Sequence, residues 1–328
     1  MLNELRSEIR HAVESYCDDP DLRDAMLQVL SRPDCALHAN ARCTAGLLTL
    51  KTYEAICGAP TAAAFQAAVA MEMYVYAARI FDNVADEEID STQGMTVAEE
   101  LPIAIGLMSC GGIAACEAGK LAGSDTQGLR LLLQLQRDCL KSCNGQFMDA
   151  RLQRHSQVST DEALEMSCRK SGSLGRLAAA LGAIIATEHF KIIGLFEEFG
   201  FNLFTYLQLL DDMRDACPSD GPMRDLEQNK KTLPLAYFHN ILLEELTEAG
   251  DGIIRWEYDK QSRQDICQEF GASGAVIFCA IIAETFLNRA KSNLVALKNR
   301  VRTVEGLEQF VSSLEISLDE VNAATQAA

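Results

Sequence analysis

Proline, aromatic side chains and positive charge are all scarce in this chain of 328 residues. Only 7 prolines interrupt it while 48 % of its residues are hydrophobic, which suits long helices and a large core and excludes extensive disorder. Strand signals are nearly missing, with no alternating Val/Ile/Thr run on either side of a tight turn. The formal charge is −18. A nucleic-acid binder needs a basic face and a membrane-surface anchor needs clustered Lys and Arg, so neither class fits. No stretch approaches about 18 uninterrupted apolar residues, and "LAAALGAIIAT" (177–187) is short and flanked by Arg176 and Glu188. No transmembrane segment and no signal peptide are expected, which points to a soluble, cytoplasmic protein. The 12 cysteines contain no CxxC pair. The nearest neighbours, Cys139 and Cys143, are spaced C-x3-C, so a zinc site or a disulfide framework is not expected.

What the chain has instead is helical periodicity. Ala, Leu, Glu, Gln and Met dominate, and apolar residues return every three or four positions. Turn-rich stretches fall near 17–21, 31–35, 57–61, 89–96, 122–126, 217–229 and 271–274. Roughly ten helices of about 12–25 residues fit between them. "STDEA" (159–163) reads as a helix start, a hydroxyl cap followed by acidic residues. No linker or repeat divides the chain, so residues 1–328 are expected to form a single all-α domain.

Two carboxylate clusters stand out. "ARIFDNVADEE" (78–88) holds Asp82 and Asp86, and "LQLLDDMRDACP" (207–218) holds Asp211, Asp212 and Asp215. Residues four apart share a helix face, so Asp82 pairs with Asp86 and Asp211 with Asp215. Each pair follows a long apolar run and therefore sits at a helix C-terminus, where the partial negative charge disfavours anions unless a cation joins them. Mg²⁺ is the fitting cation, because it takes oxygen ligands from one or two carboxylates together with substrate phosphates. Two facing pairs with Mg²⁺ between them would grip a diphosphate. Taken singly, each cluster is equally an ordinary solvated helix end. Lys170 in "SCRKSGSL" (167–174) and Lys230 in "NKKTLPL" (229–235) are candidate point-charge partners for phosphate. Gln146 and Asp149 in "GQFMDARLQ" (145–153) share a helix face three apart, a pattern that also describes a plain polar face.

The order of these motifs resembles that of the trans-isoprenyl diphosphate synthases and their class I terpene synthase relatives, from about residue 40 to about residue 300. "DNVAD" (82–86) is similar to the family's D-D-x-x-D, with Asn83 in place of the middle aspartate, and Glu72 matches its upstream glutamate. "GQFMD" resembles G-Q-x-x-D, "KSGSL" resembles K-T-x-x-L, and "QLLDDMRD…DLEQNKKTLPL" resembles the second aspartate motif with its D-L…G-K-x-T-L-P. The resemblance implies one helical bundle around a deep apolar cavity, with three Mg²⁺ ions and an allylic prenyl diphosphate at its mouth. It implies Asp82, Asp86 and Asp211 as metal ligands, and Asp215 with Gln208 as support for the second metal site. Lys170 and Lys230 would hold the diphosphate. Gln146, Phe81 and Phe147 are implied to lie along the substrate. Ala77 and Ala78, five and four positions before Asp82, are implied to form a small-residue floor that favours a C20 or longer chain over C10, with Tyr74 one turn further able to close it. Tyr76, Phe204 and Tyr237 join Phe81 and Phe147 as aromatic faces that could steady a carbocation. Family members are commonly homodimers.

The departures from the pattern matter too. The family's N-terminal G-K-x-x-R-P is replaced within "HANARCTAGLLTLKTYEAICG", and the arginines after the first motif are replaced by "EEIDSTQGMT". Those basic residues hold isopentenyl diphosphate in chain-elongating members, and acidic groups in their place would repel it. The expectation is therefore a Mg²⁺-dependent class I terpene synthase that ionises a C15–C20 allylic diphosphate, such as geranylgeranyl diphosphate, and cyclises the cation. The alternatives are a prenyltransferase, either a polyprenyl diphosphate synthase or a ComQ-like enzyme with another acceptor, and a non-catalytic subunit of a heterodimeric synthase.

Overall fold

The computed structural model describes residues 1–33, 35–86, 95–216, 224–249 and 263–316. Among these there are fourteen α-helices and no strand, as the periodicity implies. The helices number more than the roughly ten expected because several are short, such as α7 (Thr160–Ser167), α10 (Arg224–Glu227) and α14 (Glu305–Ser312). Helix α7 starts where "STDEA" places it: Ser159 accepts from the Glu162 backbone N–H at 3.2 Å, and Glu162 accepts from the Ser159 N–H at 3.0 Å.

Helix α4 (Ala62–Ala85) runs through the centre, buried almost continuously from Ala63 to Ile80. Its alanines bring it close to α5 (Val97–Leu121), α3 (Thr44–Cys57) and α8 (Ser173–Ala186), which pack around it. Helix α8 lies in turn against α9 (Phe190–Ala216), and α9 against α13 (Ala275–Leu297). The α8–α9 contact is backbone to backbone: a Cβ on Gly175 would stand 2.2 Å from the Gly200 carbonyl oxygen. Helix α6 (Asp125–Leu152) closes the bundle against α5 and α8. By length and composition α5 is one straight helix, among the described residues, that could cross a membrane, which the search for uninterrupted apolar runs does not anticipate. Here it packs against α4 and α6, with Glu99 in its capping box and Glu100 paired to Arg32 at 2.8 Å. Ten of the described cysteines are free thiols and Cys267 is disulfide-bonded.

Glu72 fastens α3 to α4. It is 1 % exposed and accepts from the Gly46 N–H at 2.5 Å. Burial pushes its carboxyl up to about 7, against the opposing pull of that hydrogen bond. A carboxyl raised on folding binds protons that the unfolded chain has released, so it contributes stability at low pH that is lost as pH rises through about 7. Glu72→Gln keeps an acceptor for Gly46 and removes the titration. The variant is expected to melt higher than the parent at about pH 8 and equally at about pH 5, a difference of a few kcal/mol at most, measured by thermal unfolding.

Candidate active site

The C-terminal end of α4 presents the first carboxylate pair. Asp82 lies in its last turn, and Asp86 caps it with a backbone N–H to the Asp82 carbonyl. Lys170 stands on a single π-helical turn, Cys168–Gly172, inserted between α7 and α8. Such a turn re-aims the side chains it carries. Lys170 Nζ donates to Asp82 Oδ1 at 2.8 Å and to Asp149 Oδ2 at 3.2 Å. Burial opposes the ammonium charge, but the two carboxylates outweigh it and raise the Lys170 pKa. Asp149 is 3 % exposed, so it is a buried partner rather than part of a solvated face.

The glycine of "GQFMD" has a steric role here. A Cβ on Gly145 would lie 2.4 Å from the Lys170 backbone nitrogen, so α6 meets the π turn with no side chain between them. Gly145→Ala must displace the turn and Lys170 with it. We expect a loss of about 1–3 kcal/mol in stability, as for overpacked cores, together with an activity loss larger than that destabilisation explains, measured by denaturant unfolding beside turnover.

The second lysine approaches from the segment after α9. Lys230 Nζ donates to Asp86 Oδ2 at 2.6 Å and stands 3.9 Å from Asp225 Oδ1. Its pKa is raised despite burial, chiefly by the hydrogen bond to Asp86 and the charge of Asp225. Gln228 adds a bond from its side-chain amide to the Asp86 carbonyl at 2.8 Å. The turn leading to Lys230 passes through Asn229 at φ 55, a left-handed conformation that glycine enters freely and asparagine tolerates. Asn229 therefore serves where the resembling motif has glycine. Lys231 points elsewhere, buried with its Nζ 2.7 Å from Asn229 Oδ1.

Helix α9 carries the second cluster at its C-terminal end. Asp212, not Asp211, is its buried carboxylate, 4 % exposed and held by Gln208 Nε2 at 2.7 Å and Ser167 Oγ at 3.2 Å. Desolvation pushes Asp212 up to about 7 and Asp225 up to about 6, with neighbouring carboxylates adding to both. Asp211 is turned outward and bonded to Arg214 at 3.1 Å, and Asp215 is exposed. The acidic stretch after the first motif lies outside the described residues except for Met95 and Thr96.

Beside these ion pairs opens an apolar cavity of about 680 Å³ between α4, α5, α6, α8 and α9. Asp82, Lys170, Gln146 and Gln208 line it together with Val75, Ala78, Phe81, Met108, Phe147 and Leu174. Tyr74, two turns and about 12 Å along α4 from Asp82, also lines it, and its hydroxyl oxygen accepts from Gln136 Nε2 at 2.5 Å. That bond ties α4 to α6 at the far end.

The structure thus brings together Asp82, Asp86, Lys170 and Lys230, and sets Gln146, Gln208, Ala78, Phe81 and Phe147 on the cavity wall. It corrects other expectations. Ala77 is 1 % exposed and turned into the core, because one residue along a helix rotates the side chain off the cavity face. Tyr76, Phe204 and Tyr237 do not line the cavity: Tyr237 stacks on Phe278 at 4.4 Å, and the Phe204 ring fills the space over Gly175. Residues given no role from the sequence also belong here. Asp225 is the aspartate of the D-L in "DLEQNKKTLPL", and Arg79 and Arg42 were legible only as arginines near Asp82 and ahead of α3. Arg79 lines the cavity, and the charge of Arg42 acts on Asp211.

Carboxylates outnumber cations in this cluster, and burial works against the charges of Asp86, Asp212 and Asp225. Hard oxygen donors short of positive charge suit a divalent cation such as Mg²⁺. Among the described residues no three His, Cys, Asp or Glu groups already converge on one ion.

The family model for polyprenyl synthetase matches residues 100–268. The chain belongs to the polyprenyl synthetase family. It is 28 % identical over 201 residues to a geranylgeranyl diphosphate synthase of Mycobacterium tuberculosis, a match covering 59 % of this chain and 57 % of that enzyme. It is 26 % identical over 256 residues to a geranylgeranyl pyrophosphate synthase of Geoglobus acetivorans, covering 76 % and 78 %. The fold of this polyprenyl synthetase family member matches that of a solved polyprenyl synthetase from Streptomyces coelicolor A3(2), with TM-score 0.78, 19 % identity and coverage of 96 % and 98 %.

Proposed function

We propose that the protein is a prenyltransferase that extends an allylic prenyl diphosphate with isopentenyl diphosphate. The observation that carries this reading is the pairing of Lys170 with Asp82 and of Lys230 with Asp86 at one end of an apolar cavity. Likeness to geranylgeranyl diphosphate synthases favours transfer over the cyclisation expected from the sequence. The residues fit Mg²⁺, with Asp82, Asp86, Asp211 and Asp215 as its proposed holders and Asp225 added beside Lys230. Bound there, Mg²⁺ would supply charge to the leaving diphosphate. Lys170 and Lys230 would turn from their carboxylates toward the phosphate oxygens and steady the negative charge that grows as the allylic C–O bond breaks. The electron pair leaves with the diphosphate, the double bond of the acceptor attacks the allylic carbon, and the tertiary cation so formed would lose a proton from the adjacent carbon to the departing diphosphate, leaving a new allylic double bond. Phe81, Phe147, Ala78 and Val75 would hold the chain and exclude water, and Tyr74 would limit its length. Arg42 and Arg79 supply positive charge that the missing G-K-x-x-R-P appeared to remove, which supports a second diphosphate. The absent motif arginines still favour cyclisation as the second reading.

The test is incubation of the purified protein with Mg²⁺ and geranyl, farnesyl or geranylgeranyl diphosphate, each with and without isopentenyl diphosphate, followed by mass spectrometry. A longer diphosphate that requires isopentenyl diphosphate is the expected product. A cyclic hydrocarbon or alcohol from one diphosphate alone would replace this reading with the second.

The face opposite the core adds a homodimer to the proposal. Ile105, Ile113 and Leu121 on α5 and Leu129, Leu133 and Leu140 on α6 are large apolar side chains left 41–72 % exposed, as self-association would use. Light scattering is expected to give twice 35.9 kDa, and Leu140→Glu to give the monomer mass.

A further inference from the structure

Two cysteines in the cavity wall have no role in prenyl transfer. Cys139 and Cys143 lie one turn apart on α6, and both line the cavity. Their side chains are neighbours on one face of that helix. Met108, on the facing helix α5, lines the same cavity. We propose that Cys139 and Cys143 form a dithiol site for one soft monovalent metal ion, Cu(I), in the wall of this cavity.

Geometry separates this from a disulfide. Helix neighbours four apart hold their Cβ atoms about 5–6 Å from each other, whereas a disulfide needs about 3.5–4.5 Å. Direct closure would distort α6. An ion between the sulfurs bridges the longer span with the helix intact. The donor set then selects the ion: thiolate and thioether sulfur prefer Cu(I), while Mg²⁺ and Ca²⁺ demand oxygen. Among the described residues the one lining carboxylate is Asp82, already bonded to Lys170. The chemistry is also prepared. The neighbouring Cys139 holds the Cys143 thiol below the usual cysteine range, which favours its thiolate. Binding releases the thiol protons still held by the pair to solvent, as two thiolates and Cu⁺ give a bis-thiolate of net charge −1. The inference does not depend on the ligand that the cavity takes.

The test is an anaerobic titration of the reduced, metal-free full-length protein with Cu(I) against a chromophoric Cu(I) chelator. The parent is compared with Cys139→Ser, Cys143→Ser and, as a remote control, Cys57→Ser. The parent and the Cys57→Ser protein are expected to hold one tight equivalent. Each of the other two should bind it at least roughly 100-fold more weakly, beyond what losing a supporting partner costs. In parallel, one equivalent of Cu(I) should shield Cys143 from iodoacetamide in the parent, read by peptide mass spectrometry, and not in the Cys139→Ser protein. Matching circular-dichroism melts establish that the variants are folded. Retention of the tight equivalent by either cavity variant, or alkylation of Cys143 in the Cu(I)-loaded parent, would overturn the proposal.

Discussion

Asp82→Ala is expected to lower kcat by roughly 10²-fold or more while leaving the protein folded. The two halves of that expectation have different causes. Asp82 is 31 % exposed and shares Lys170 with Asp149, so removing it leaves the ammonium a buried partner at 3.2 Å. A partly exposed ion pair of this kind contributes at most about 1 kcal/mol. Turnover is another matter, because a carboxylate at the end of α4, where the helix dipole is also negative, supplies the charge that the proposed metal needs. The loss should deepen at low Mg²⁺ and ease as Mg²⁺ is raised. Asp211→Ala should behave alike, since its outward carboxylate contributes little to the fold. Steady-state rates over a Mg²⁺ series, beside thermal melts, check both. Full activity in either variant would sink the metal assignment.

Such an argument was open from the sequence because each aspartate follows an apolar run, and that pattern dictates both the helix and its polar end. The residue types also marked Lys170, Lys230 and Gln146, and the resemblance added Gln208; the structure sets Lys170, Gln146 and Gln208 on the cavity wall and Lys230 on Asp86 beside it. What stayed hidden required knowledge of neighbours. Asp149 looked like a polar face residue until α6 was packed on the π turn through Gly145, and no periodicity signals a π turn. Asp212 could not be separated from Asp211, since adjacent residues on a helix differ only by about 100° of rotation, and the packing of α7 decides which is buried. Ala77 and Ala78 posed the same problem on α4. The aromatic candidates failed for a related reason: composition marks Phe204 and Tyr237 as large apolar groups, whereas the cavity face is chosen by the helices around them. The missing N-terminal motif misled in the opposite direction. Its lysine is absent, but Arg42, inside the stretch that replaces the motif, still bears on Asp211, and Arg79 lines the cavity from α4.

Lys170→Met should be both unstable and inactive, and Asp149 allows the two effects to be separated. Its carboxylate side chain is 4 % exposed, and in this variant it keeps no cation in contact. Leaving one member of a buried pair uncompensated costs about 3 kcal/mol or more. Adding Asp149→Asn removes the uncompensated charge, and an amide can still bond to Gln153, which lies 3.4 Å from the present carboxylate. The double variant is therefore expected to regain most of the lost stability in denaturant unfolding. Its turnover should remain roughly 10²-fold or more below the parent, because no amide replaces the ammonium beside a departing diphosphate. If activity returned with stability, Lys170 would be a structural pin for α6 and α4, and Lys230 alone would be left to meet the phosphate. If stability returned without activity, the ion pair would be the resting arrangement of a residue whose working partner is the substrate.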